Sequence, residues 1–339
     1  MCLIKENVLI EGLVKSFSRS TIQINKLQES DAELISLSDE TILALTTDSI
    51  CEEIERGLYD DPFMIGWMTV TANISDLAAV GATPIGILLN QTFTKTTNSE
   101  YINEIQRGIN EACITYKTYV LGGDSNYSSR MQMSATAIGV LKNEKPIMRS
   151  GCSVGDSIFA SGKLGSGNAF AFTKLSGSNS QFKPNARIDI AKPLLKYATC
   201  CMDTSDGLFA TVDQLMRVNN LGFSISSSTE DYLADEAKGV CYFQNIPTWF
   251  MHAGPHGEYE LVFTIPCDKE KEFMNEAEAM NWFPVKLGKV TSEREIIFLY
   301  NHQLVTIDTA LIRNLFSESD RSLSFYANEL MKIENKWRM

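Results

Sequence analysis

Apolar and polar positions alternate along this chain in two distinct rhythms, which predict strands and helices following one another. Residues 7 to 18 carry apolar positions at helical spacing. Thr41 to Thr47 reads as a buried strand, and Pro62 to Ala79 as a long helix that begins at a proline and stops at Gly81. Thr83 to Phe93 reads as a strand and Glu100 to Tyr116 as an amphipathic helix. A short strand, Tyr119 to Leu121, feeds Gly122-Gly123-Asp124, and Met131 to Leu141 alternates with strand period.

The pattern changes near residues 146 to 156, where proline, glycine and serine gather. This places a boundary between two expected domains, 1–145 and 146–339. Beyond it come a strand (Ser157 to Ala160), a glycine-rich loop (Gly162 to Gly167) with a helix after it, and a polar loop (Ser176 to Lys183). Helices follow over Ala186 to Ala198 and from Asp203–Asp206 to Val218, the latter stopped by Asn219-Asn220 and Gly222. Strands are expected at Phe223–Ser227, Tyr259–Ile265, Val285–Val290 and Ile296–Tyr300, with a helix at Lys269–Met280. The class is mixed, α/β together with α+β.

The 339 residues suit two domains, and 44% hydrophobic content gives each a core. A net charge of −12 with no basic stripe argues against a nucleic-acid partner. It leaves room for small phosphorylated molecules, because metal ions can supply the missing positive charge. Eight cysteines without a C-x-x-C, and only three histidines, speak against zinc and for small buried thiols in a reducing compartment. Met1 to Glu6 lacks the basic and apolar segments of a leader, and no uncharged apolar stretch is long enough to span a membrane. A cytoplasmic protein with no membrane partner is expected.

Candidate chemistry lies in repeated acidic motifs. Asp48 ends Leu-Ala-Leu-Thr-Thr-Asp, Asp76 sits in Asn-Ile-Ser-Asp-Leu-Ala-Ala, and Asp124 follows Gly122-Gly123. Asp203 and Asp206 frame Asp-Thr-Ser-Asp-Gly, and Asp31 is a further member. Most Asp beside Ser, Thr or Gly are caps or turn residues. Five such motifs in one chain, two of them directly after apolar strands, instead point to oxygen ligands for a hard cation such as Mg²⁺. On the predicted helix Asn73 and Asp76 share a face. Gly162 to Gly167 matches neither a P-loop nor a dinucleotide fingerprint, so a tight turn and an anion cradle stay equally open. Arg149 is a surface cation or a phosphate clamp at the boundary, and Glu258 to Glu260 a polar turn or part of a substrate wall.

Taken together these stretches resemble the thiamine-monophosphate kinases, within the aminoimidazole-ribonucleotide synthetase-like ATP-binding proteins. The matching residues are Thr46-Thr47-Asp48, Ala72 to Pro84, Gly122-Gly123-Asp124, Arg149-Ser150-Gly151 with Gly155-Asp156, Asp203 to Leu208, and Glu258 to Leu261. The resemblance implies a two-domain fold in which the N-terminal sheet forms a barrel across a homodimer, with ATP in a cleft between domains. It implies Mg²⁺ held by Asp31, Thr46, Thr47, Asp48, Asp76, Asp124, Asp203 and Asp206, and nucleotide contacts from Gly123, Arg149 and Ser205. Asp48, Asp124 and Asp203 would be the catalytic group, transferring the γ-phosphoryl of ATP to thiamine monophosphate. Three departures fall on the acceptor side. Gln28-Glu29-Ser30-Asp31-Ala32 replaces Gly-x-Gly-Asp-Asp-Ala, Glu55 stands where the family has histidine, and Pro255 to Glu260 replaces Gly-Gly-Glu-Asp-Tyr-Glu. Glu55, Glu258 and Glu260 are therefore the expected substrate-facing residues. Two other readings remain: a different ATP-dependent activation or cyclo-ligase reaction, and a nucleotide-binding homologue without catalysis.

Overall fold

Two sheets organise the chain in a computed structural model that describes residues 4–254, 256–318 and 323–337. The first is built from β1 (Glu33–Ser38), β2 (Thr41–Ser49), β3 (Thr83–Thr94), β4 (Val120–Ser128) and β5 (Gln132–Lys142), in the order β1-β2-β5-β3-β4. Its pairs are antiparallel except β3 with β4. The second contains β6 (Ser157–Ala160), β7 (Cys200–Asp203), β8 (Gly222–Ile225), β9 (Leu261–Ile265), β10 (Val285–Thr291), β11 (Ile296–Tyr300) and β12 (Gln303–Ile307), in the order β12-β11-β8-β10-β6-β9-β7.

Before and within the first sheet come the helices α1 (Lys5–Val14), α2 (Cys51–Glu55), α3 (Pro62–Ala79) and α4 (Ser99–Thr115). With the second sheet come α5 (Ser166–Leu175), α6 (Ala191–Tyr197) and α7 (Leu208–Asn219). Shorter pieces and α-helices at Asp235–Gln244, Glu270–Ala279, Thr309–Glu318 and Leu323–Trp337 complete the described structure. No helix among the described residues is long and apolar enough to cross a membrane.

The first sheet is covered on one face only. On β5 the odd residues Met133, Ala135, Ala137 and Leu141 are buried while their neighbours are not, the signature of a one-sided sheet. The covering element is α3, which is buried almost all round, as a central helix must be. Its buried hydroxyls and amide are all bonded: Thr69 and Thr71 donate to Ile65 O and Trp67 O, and Asn73 Nδ2 to Thr69 O. By contrast β6, β7 and β9 are buried on both faces. One face packs on α7, and the other on a cluster of Phe159, Phe263, Phe273 and Trp282 that also takes in Ala78 and Ala79 of α3. So α3 touches both sheets, and the site grows from that junction.

Several sequence expectations shift. β4 runs nine residues, through Gly122-Gly123-Asp124 instead of stopping before them, because after a register shift at Leu121 its backbone pairs with β3 from Gly122 to Ser128. β7 was not expected, so Asp203 closes a strand and Asp206 sits ahead of α7, which starts at Leu208. The helix expected from Ala186 begins at Ala191, after a 3₁₀ turn at Ile188–Ile190. Pro255 lies outside the described residues.

Helices α3 and α4 cross backbone to backbone at two glycines. A Cβ on Gly66 would stand 2.0 Å from Ile105 O, and one on Gly108 2.0 Å from Phe63 O. Gly66→Ala or Gly108→Ala forces the helices apart and is expected to cost at least the about 1–3 kcal/mol of an overpacked core. Urea unfolding of each variant measures this, and an unchanged midpoint contradicts the crossing.

Candidate functional site

The site begins with strand periodicity. On β2, Thr46 and Asp48 are two residues apart and face α3, whereas Thr47 faces the open side of the sheet. Thr46 Oγ1 donates to Asp76 Oδ2, and Asn73 Oδ1 accepts the Asp48 backbone N–H at 3.0 Å. Two residues beyond Asn73 on α3, Ser75 Oγ donates to Asp203 Oδ2 at 2.6 Å, and the Ser205 hydroxyl holds Asp203 Oδ1 at 2.9 Å. From before β1 comes Asp31, whose Oδ1 accepts from Arg149 Nη2 at 2.8 Å.

Three elements thus deliver Asp31, Asp76 and Asp203 to one point, where an oxygen of each lies within 4.8 Å of the others. Asp203 is 1% exposed, and so is the Asp31 side chain. Burial pushes the Asp31 carboxyl up to about 6, with Arg149 pulling it down and Asp203 pushing it further up. Burial also holds Asp76 well above the usual carboxylate range, and repulsion from Asp203, Asp31 and Asp48 adds to it. At the rim, Asp48 still meets solvent but is hemmed in by protein, and its carboxyl rises to about 6. The cluster holds too much negative charge for its one guanidinium.

That imbalance is the test of whether a divalent cation fits. Asp31 Oδ2 is buried with no hydrogen-bond partner, a costly state for a carboxylate oxygen. The donors are all oxygens, as Mg²⁺ demands, and Thr46, Ser75, Ser205 and Arg149 fix their orientation. The residues fit.

Other expected residues lie elsewhere. Asp124 pairs with Asn90 on β3, which pairs with Ser134 on β5, opposite Ser49 on β2. Three strand spacings therefore part Asp124 from β2, roughly 14 Å. It faces the open side, where Asn126 Nδ2 donates to it at 2.7 Å. The Thr47 hydroxyl donates to Ala135 O at 3.0 Å. Gly123 is needed where it stands, since a Cβ there would be 2.0 Å from Leu89 O. Glu55 is half exposed and pairs with Arg130.

Two cavities flank the site and share no lining residue. One, of about 580 Å³, is lined by Glu258 and Glu260. Glu258 accepts the Gly165 N–H at 2.7 Å at the start of α5, and burial pushes its carboxyl up to about 8. Glu260 binds Arg187 at 3.2 Å and Ser161. Both carboxylates therefore fasten loops of the chain itself. The other cavity, of about 650 Å³, is lined by Asp206, Glu53, Leu58, Phe172, Phe209 and Tyr326, among others. Burial raises the Asp206 carboxyl to about 7, with Glu6 raising, Arg313 lowering, and Asp203 and Asp48 raising it, so this cavity adjoins the acidic cluster. Sequence reasoning set Asn73 on the face of Asp76 without giving it or Ser75 a role, and passed over Glu53. Asn73 and Ser75 stand on the same helical stretch as Asp76, the available signal.

Known proteins resemble this chain in sequence and in fold. Residues 29–141 match the family model for the AIR synthase related protein, N-terminal domain. A thiamine-monophosphate kinase of Aquifex aeolicus is 30% identical over 249 residues, 70% of this chain and 80% of the relative. The chain belongs to the thiamine-monophosphate kinase family. A second such kinase, from Methanospirillum hungatei, is 31% identical over 236 residues, covering 68% of this chain and 77% of its own. Among solved structures, AaThiL complexed with AMPPCP and TMP matches with a TM-score of 0.75 at 25% identity, covering 90% of this chain and 97% of the neighbour. A HypE–HypF complex matches with a TM-score of 0.72 at 18% identity, over 89% and 99% of the two chains, which shows a common fold.

The charge imbalance has a measurable sign. A carboxyl whose folded pKa is raised adds stability at low pH and loses it as pH climbs from the unfolded value through the folded one. Asp76→Asn, which removes one such charge, is therefore expected to stabilise the metal-free protein at pH 8, on the order of 1–3 kcal/mol. The gain should fade toward pH 5. Thermal unfolding with and without the substitution measures it, and a destabilised variant at pH 8 contradicts the account.

Proposed function

We propose that this kinase-family chain transfers the γ-phosphoryl group of ATP to thiamine monophosphate, giving thiamine diphosphate and ADP. The observation that carries the reading is the convergence of Asp31, Asp76 and Asp203 beside a cavity large enough for a small acceptor. These three would hold Mg²⁺, with Asp48 and Asp206 at the rim. Bound Mg²⁺ would neutralise the phosphate oxygens and the charge that develops on the leaving group.

The chain's own part is positioning. An oxygen of the acceptor phosphate forms the new bond to the γ-phosphorus, and the bond to the bridging β–γ oxygen breaks toward ADP. The acceptor oxygen is already ionised at neutral pH, so no side chain has to remove a proton. This accords with a cluster whose members are ligands and their supports. Thr46, Ser75 and Ser205 hold the carboxylates in place before ligands arrive, a pre-organisation that favours the transition state. Arg149 keeps Asp31 charged and has buried contact with the same centre, where it can meet a phosphate.

The wider expectations extend this reading. Every residue of the edge strand β4 is exposed, and Leu88 and Leu121 on the sheet's uncovered side, with Tyr119, Val120 and Tyr127 along the same edge, leave apolar surface there. We infer that a second copy covers this surface and that Gly123 and Asp124 act within that homodimer. The proposed division into 1–145 and 146–339 then gives a dimerising half and a half that completes the acceptor cavity.

Two measurements test this. Purified protein with Mg²⁺, ATP and thiamine monophosphate should form thiamine diphosphate, and Asp203→Asn should lose on the order of 100-fold or more in turnover. ATP turnover only with another acceptor, or nucleotide binding without turnover, overturns the proposal. Leu121→Asp should convert a dimer to a monomer by light scattering coupled to size exclusion, and a monomeric parent protein refutes the dimer.

A further inference from the structure

The cavity beside Asp206 has a charge pattern of its own. Its lining carries four carboxylates, Glu6, Glu52, Glu53 and Asp206, against the cations Lys5, Arg56 and Arg313. Two of the cations are engaged by neighbours: Arg56 pairs with Glu52, and Arg313 with Glu6 at 3.1 Å. Glu53 and Asp206 form no ion pair among the described residues, and Glu53 Oε2 is buried without a hydrogen-bond partner. Asp206 is accounted for by the adjacent acidic cluster. Glu53 is not: it stands on α2, five residues before Leu58, whose backbone N–H donates to the Glu53 carbonyl oxygen at 2.9 Å.

The remaining wall is apolar and aromatic, with Leu58, Phe172, Phe209, Ile312 and Tyr326. Flat apolar walls beside an uncompensated carboxylate suit an aromatic cation, which gains from ring faces and from the negative charge together. Thiamine monophosphate has this chemistry: a permanently cationic thiazolium ring, joined to a phosphate monoester.

We propose that Glu53 is a specificity determinant that reads the positive charge of the acceptor's ring, while the acceptor's phosphate reaches past Asp206 to the acidic cluster. The inference rests on the phosphotransferase reading above and deepens it. Burial raises the Glu53 carboxyl despite the nearby attraction of Arg56, with Asp48 and Glu52 adding repulsion, so an arriving cation relieves an existing strain. Selection is then for charge as well as shape, because a neutral ring of the same outline leaves the carboxylate uncompensated.

The test compares two acceptors, thiamine monophosphate and an isostere whose ring nitrogen is replaced by carbon, making it neutral. In the parent protein the cation should be preferred. Glu53→Gln should raise KM for thiamine monophosphate by about tenfold with kcat little changed, and leave KM for the neutral isostere unaltered. Glu53→Asp, which keeps the charge, should recover most of the preference and covers the case in which the Gln variant does not fold. Equal effects of Glu53→Gln on both acceptors, or no effect on either, overturn the role of Glu53 while the kinase reading stands. A parent protein inert toward thiamine monophosphate overturns the kinase reading itself, and is seen before any substitution is made.

Discussion

Everything in this structure is arranged around carboxylates that repel one another at the junction of two sheets. Asp31, Asp76 and Asp203 are brought within 4.8 Å, and Arg149 is bonded to Asp31 among them. Left alone, such a centre costs folding free energy, since burial and like charge both disfavour the ionised forms. A fold that keeps it must have a use for it. The hydroxyls of Thr46, Ser75 and Ser205 each hold a carboxylate oxygen, so the repulsion does not splay the cluster open.

Helix α3 makes the arrangement possible. It is buried along most of its length, with Gly66 letting α4 approach on one side and Ala78 and Ala79 reaching the second sheet on the other. Its buried polar residues satisfy themselves within the helix or toward the site. Asn73 secures the Asp48 backbone, Ser75 reaches Asp203, and Asp76 enters the cluster, so one turn of helix coordinates β2, β7 and the loop before β1. Strain placed on this helix reaches every part of the site.

Much of this was legible in the sequence, for definite reasons. The bounds of α3 are marked by Pro62 and Gly81, and helical spacing puts Asn73 and Asp76 on one face. β5 announces itself by strict alternation. What spacing does not carry is register. Asp48 and Asp124 follow similar motifs, yet pairing through β5 and β3 sets them apart on opposite faces of one sheet. β4 reads as short because Gly122, Gly123 and Asp124 are poor strand formers, and only its pairing with β3 keeps it extended. Glu258 and Glu260, expected from sequence as a substrate wall, line a cavity, and the structure adds that each is also tied to a loop of its own chain. Glu53 escapes notice because a glutamate in a short polar helix reads as solvated surface until the cavity behind it is seen.

The central claim is that the three converging carboxylates form a divalent-cation centre beside bound nucleotide. Its most direct test is anomalous diffraction from crystals grown with Mn²⁺ and a non-hydrolysable ATP analogue. The account predicts an anomalous peak between Asp31, Asp76 and Asp203, with analogue phosphates against it. A metal found only at other positions, with these carboxylates turned apart, would contradict it.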